Sequence, residues 1–222
     1  MSAEPGLLPP YIGVVFVAVL GGAGAFGFWK WRGIKLRSEW NKAASELGGK
    51  VELDPNFGRM KVRGRYKEHA AFLQQGVSHE DAMPYPHTRG ALNMKNPASV
   101  VMGLRHKSML EEVATRKEER PVPTGDQDFD RSFFLVMNSP EHVETVLPAE
   151  IRRTLSRYSD VEIYLKSTQI EWRRSGTMRS AQDMLALFDV AAEIADALDK
   201  LPQRTLSLSQ KMEEEALIEQ GI

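Results

Sequence analysis

Cysteine is absent from all 222 residues, which excludes disulfides, thiolate catalysis and Cys-ligated metals together. No HExxH, GxSxG, P-loop or GxGxxG pattern occurs, so the common hydrolase, metalloprotease and nucleotide-binding signatures are missing as well. Nor is there an excess of charge of one sign. The formal net charge is −1, so nothing global points to a nucleic-acid partner. No repeat period or low-complexity block appears. What remains is a chain with 27% charged residues, and about 190 of its residues follow one long apolar run. That length suits a single domain able to bury its own core.

The apolar run is Tyr11–Trp29, nineteen residues without a charge or amide. As a helix it measures about 28 Å, close to the hydrocarbon thickness of a bilayer, and predicts a transmembrane span. The ten residues before it carry Glu4 and no Lys or Arg, which argues for a retained anchor over a cleaved signal. Lys30, Arg32, Lys35 and Arg37 follow the span, and Trp29 and Trp31 stand where an interfacial aromatic belt belongs. The positive-inside rule then sets the N-terminus outside and the rest in the cytoplasm, as in a single-pass protein of a bacterial inner membrane. Within the run Ala18, Gly21, Gly22 and Ala25 share one helical face, a small-residue surface suited to a partner helix.

Beyond the span, Trp40, Ala43, Ala44 and Leu47 repeat with helical spacing up to Gly48-Gly49. KVELD and RMKVRGRY flank Pro55-Asn56-Phe57-Gly58 as a β-hairpin. Residues 76–90 read as a loop by composition, ALNM and ASVVMGLRH as strands, and SFFLVMN as a buried strand. Ser139-Pro140 opens a short helix, and Pro148 starts another carrying Ile151 and Leu155. DVEIYLK and TQIEWRR form a hairpin. Ser180 with Asp183 starts a helix to about Leu201, packed through Met184, Phe188, Ala191, Ala195 and Leu198. The fold class expected is α+β: one transmembrane helix, then a single cytoplasmic domain of antiparallel hairpins and packed helices. Its divisions are an extracytoplasmic tip (1–10), the span (11–29), a basic membrane-proximal helix (30–48), the domain (49–201) and an acidic tail (202–222).

Charge is unevenly spread. Residues 30–67 hold eleven Lys or Arg against four acids, whereas residues 183–222 hold nine acids against three bases. The basic cluster suits anionic lipid headgroups. It lacks the aromatic interleaving of a nucleic-acid surface, so no nucleic-acid partner is expected.

The sharpest local motif is Thr124-Gly125-Asp126-Gln127-Asp128-Phe129-Asp130-Arg131. Asp126, Asp128 and Asp130 match the spacing of the first calcium ligands of an EF-hand loop. The match then fails, because Arg131 stands where glycine is needed and Met137 where the bidentate acid belongs. The better reading is a turn in which these aspartates cap backbone amides and Arg131 balances their charge. His79-Glu80-Asp81 and His87 sit in one stretch, which reads as a solvated loop more readily than as a metal site. No catalytic residue, metal or cofactor is expected.

TGDQDFDRSF, followed by a strand, PEHVETVLPAEIRRTL, a hairpin and an amphipathic helix, resembles uncharacterised single-pass bacterial membrane proteins with a TGDxxFDxxF segment. The similarity covers residues 124–200 and implies a bacterial inner-membrane protein with no site to carry over. In topology alone the chain also resembles the H subunit of purple bacterial photosynthetic reaction centres. The function expected is a non-catalytic accessory subunit of a larger membrane complex. It would dock on an integral membrane partner through its span and cover that partner's cytoplasmic face. A membrane-tethered metal-dependent enzyme or sensor using Asp126, Asp128 and Asp130, and a module binding anionic lipid surfaces, are the alternatives.

Overall fold

The computed structural model of the chain describes residues 33–78, 85–107 and 121–203. A helix, α1, occupies residues 33–46. Strands β1 (Lys50–Leu53), β2 (Met60–Tyr66), β3 (His69–Ser78), β4 (Tyr85–Asn93) and β5 (Met102–His106) follow. Then come α2 (Gln127–Ser132), β6 (Phe133–Met137), a 3-10 turn (Pro140–His142), α3 (Val143–Val146) and α4 (Ala149–Leu155). Strands β7 (Val161–Leu165) and β8 (Gln169–Ser175) and the long helix α5 (Ala181–Asp199) complete it.

The eight strands make one sheet in the order β1-β2-β3-β4-β8-β7-β5-β6, antiparallel at every pair. Alternation along each strand sends neighbouring residues to opposite faces. One level of the sheet reads Val51, Val62, Leu73, Gly90, Trp172, Ile163, Leu104 and Leu135 from edge to edge, apolar throughout. The residues of this level that are fully buried join one core cluster with Trp40, Ala43 and Ala44 of α1 and Leu47 just after it, Ile151 and Leu155 of α4, and Phe188, Ala191 and Leu198 of α5. The helices therefore share one face of the sheet. Phe188 meets Trp172 edge-on at 5.4 Å and Tyr66 at 5.6 Å, contacts worth about 0.5–1.5 kcal/mol each beyond area. Gly90 is required beneath Trp172, since a Cβ there would fall 2.3 Å from the indole Cε2.

Helix α1 ends where Gly48 turns to φ +60°, a left-handed conformation that glycine adopts without a Cβ penalty. It is fastened to the opposite end of the chain. Trp40 Nε1 donates to the Met178 carbonyl at 3.0 Å, and the Ala181 N–H donates to Glu39 Oε2 at 3.1 Å. The Lys42 ammonium bonded to Glu39, then the Ala181 amide, hold the Glu39 carboxyl below the usual carboxylate range.

Two expectations need correction. The strands are not confined to the hairpins read from the sequence: β4 pairs with β8 and joins all eight into one antiparallel sheet. And among the described residues no helix is long and apolar enough to cross a membrane. The longest with defined ends, α5, carries Asp183, Asp189, Glu193, Asp196 and Asp199. Tyr11–Trp29, on which the transmembrane fold class and the single-pass inner-membrane placement rested, lies outside the described residues, and neither stands. Residues 76–90 also differ from a loop: they supply the end of β3 and most of β4.

Candidate functional site

The acidic motif is a structural corner. Asp126 caps α2, its Oδ1 accepting from the Asp128 and Phe129 amides at 3.2 and 3.1 Å. Asp130 accepts from the Thr124 hydroxyl at 2.7 Å and from the Thr124 amide at 3.0 Å. Asp128 points outward and pairs with Arg131 at 3.2 Å. Phe129 stacks on Phe133 at 4.5 Å, seating the corner on β6. The buried Arg152 of α4 lies 3.7 Å from Asp126 and 3.1 Å from Glu144, so PEHVETVLPAEIRRTL is tied to the TGDQDFD segment by an ion pair. The three carboxylates thus have separate structural tasks, and among the described residues no group of three His, Asp or Glu is placed to hold a metal ion.

Of the interface residues named from sequence, Lys35 and Arg37 are exposed on α1, and Arg37 lines a shallow groove of about 530 Å³ with Ile34, Asn41 and Ser45. Ala18, Gly21, Gly22, Ala25, Trp29, Lys30, Trp31 and Arg32 lie outside the described residues, as do His79, Glu80 and Asp81. His87 sits on β4, opposite Gly76 and Ser175.

The face of the sheet away from the helices was not visible in the sequence. One level there reads Glu52, Lys61, Gln74, Arg89, Arg173, Glu162, Arg105 and Phe134. The next reads Lys50, Arg63, Phe72, Ala91, Glu171, Tyr164, Gly103 and Val136. None of these residues belongs to the core cluster, and Ala91, although buried, stands apart from it. Across these two levels six Lys or Arg face three Glu.

The arginines are held in fixed poses. From the strands on either side, the guanidinium groups of Arg105 and Arg173 lie over the Tyr164 ring, 5.3 and 5.2 Å from its centroid. Arg89 lies 5.5 Å over Phe72 and donates to Gln74 Oε1 at 3.2 Å. Such contacts contribute about 0.5–1 kcal/mol at exposed sites. Buried Glu171 accepts from Arg173 Nε at 2.7 Å, with Arg89 at 3.9 Å. Tyr164 donates to Glu162 at 2.9 Å. Burial, then the Glu162 charge, pushes the Tyr164 phenol up to about 12. Chemically this face offers fixed cationic donors to oxygen anions.

No family model and no curated protein matches the chain. Among solved structures it is similar to the crystal structure of the mycobacterial trehalose monomycolate transport factor A, TtfA, with 14% identity and a TM-score of 0.52. The match covers 77% of this chain and 98% of that one. The likeness is one of fold: a bacterial transport factor shares this arrangement of sheet and helices. At that identity no residue of the open face is carried over from it.

Proposed function

We propose that this chain is a non-catalytic accessory subunit of a larger bacterial protein assembly, docking through the open face of its sheet. The observation that carries this reading is the pair of charged and aromatic levels running across all eight strands, on the face opposite the core. A sheet that needs only one covered face for stability can spend the other on recognition. Of the aspartates that a metal-dependent enzyme would use, Asp126 and Asp130 are occupied in capping and turn bonds and Asp128 pairs with Arg131. The protein that shares the fold is named as a factor in transport, a name that states no reaction.

The test is site-specific photo-crosslinking of the full chain in its native cells. Benzoylphenylalanine replaces Phe134 on the open face or Glu193 on α5, both outside the fixed arginine contacts. Discrete crosslinked species from position 134 and none from position 193 are expected. A chain that migrates as a lone monomer, with no crosslink from position 134, overturns the reading.

A further inference from the structure

We propose that the occupant of the open face is a carboxylate-rich protein segment lying across the strands along Lys61, Arg89, Arg173 and Arg105. This rests on the docking role proposed above and adds the chemistry of what docks. Arg89 and Arg173 stand directly opposite each other on neighbouring strands, and Arg105 is two strands further on at the same level. Like charges directly opposite destabilise a sheet. Glu171 answers Arg173 at 2.7 Å and Arg89 only at 3.9 Å, while Glu162 accepts from Tyr164. Arg105 lies over Tyr164 and stands directly opposite Glu162, a carboxylate that it shares with Arg173 on the other side. Among the described residues the two levels thus carry six cations against three carboxylates, with the shortfall sharpest at Arg89, and an incoming carboxylate supplies what is short.

Geometry narrows the partner further. With strands about 4.8 Å apart, the cations from Lys61 on β2 to Arg105 on β5 span about 24 Å, the length of roughly seven extended residues. Guanidinium groups held over aromatic rings are pre-organised for carboxylate recognition, because part of their rotamer freedom is already spent. Glu171 is buried and paired, while Glu52 and Glu162 stand among the cations at the level of Lys61, Arg89, Arg173 and Arg105. The flexible side chains of a glutamate-rich segment can turn their carboxylates onto the cations and away from these two acids, which the set anion spacing of a bilayer surface or a polyphosphate cannot. Both approaches to the Tyr164 ring are taken by guanidinium, which removes it as a stacking platform for bases.

The experiment uses the full chain in non-ionic detergent and labelled poly-L-glutamate, read by fluorescence anisotropy. Competitors are an oligouridylate of matched charge and micelles doped with phosphatidylglycerol. Poly-L-glutamate is expected to bind, more weakly as salt rises. Arg89→Gln and Arg105→Gln should each weaken it about tenfold, with Arg105→Lys in between and unchanged melting curves throughout. Binding that is unaltered by both glutamine variants overturns the proposal, as does tighter binding of either competitor. If crosslinking from position 134 persists while poly-L-glutamate is not bound, the carboxylate assignment fails and the docking role stands. If both are lost, both fail.

Discussion

One step along every strand separates two levels of the sheet that do opposite things. The level from Val51 to Leu135 is apolar at all eight positions and lies against the helices. The level from Glu52 to Phe134 has six charged positions, two of them arginines face to face. The first resembles any core, and its composition is explained by burial. The second is explained only in part by stability: Glu52 with Lys61, and Glu162 with Arg173 and Arg105, are opposite-charge neighbours, but Arg89 faces Arg173 and the cations outnumber the acids. Cations in excess of their carboxylates and held rigidly in place are what a recognition surface requires. Strand alternation lets one backbone carry both without compromise.

This contrast is open to direct attack. The largest effect should come from Phe188→Ala, which empties a buried site between Tyr66 and Trp172 and should cost about 3–5 kcal/mol by denaturant unfolding. Phe72→Ala on the open face should cost about 1 kcal/mol, its ring being half-buried under Arg89. Equal costs would mean that the open face is packed like a core, and the contrast would collapse. Gly90→Ala tests the core side from the backbone: the new methyl must displace the Trp172 indole, for about 1–3 kcal/mol. Arg89→Gln should change stability by no more than about 0.5 kcal/mol, because relief of the opposed charge offsets the lost stacking.

Two titrations complete the set. The folded Tyr164 phenol ionises near 12, above its ordinary value of 10.0. Its contribution to stability is therefore whole below pH 10 and is lost as pH rises toward 12. Tyr164→Phe should remove that alkaline loss, read from melting temperature across the same window. Glu39 behaves in the opposite sense. Its folded pKa lies below 4.5, so its contribution is present above that pH and fades as acid protonates the carboxylate. Glu39→Gln should lower the melting temperature slightly near neutrality and not at all in strong acid.

How much of this the sequence disclosed depended on whether the signal was local. The hairpin of β1 and β2, strands β6 to β8, and the capped helix α5 all carry their own alternation, turn or cap. Asp126 and Ser180 cap helices as expected. Ser139 does not: its side chain makes no capping bond. Strand β3 and all of β4 but its last residues were hidden because HAAFLQQGVS and YPHTRGALN have little β-branching and include proline and glycine. Pairing on both sides overrides such weak local preference. The open face was hidden for a different reason. Arg89 and Arg173 meet only because β4 pairs with β8, some eighty positions later, and no local pattern reports a register set at that range. The charge run of Lys61, Arg63 and Arg65 was legible, but its continuation across the sheet was not.

The two bonds that fasten α1 also have a mechanical meaning. Trp40 and Glu39 grip Met178 and Ala181, the entry to the first turn of α5. A load applied at Gly33 is consequently delivered to α5 before it reaches the strands. In a pulling experiment the first event would be release of α1 together with the α5 entry, and the sheet would yield last. Because α1 is bonded to the entry of α5, tension applied at Gly33 acts first on the helical layer while the arginine face keeps its shape.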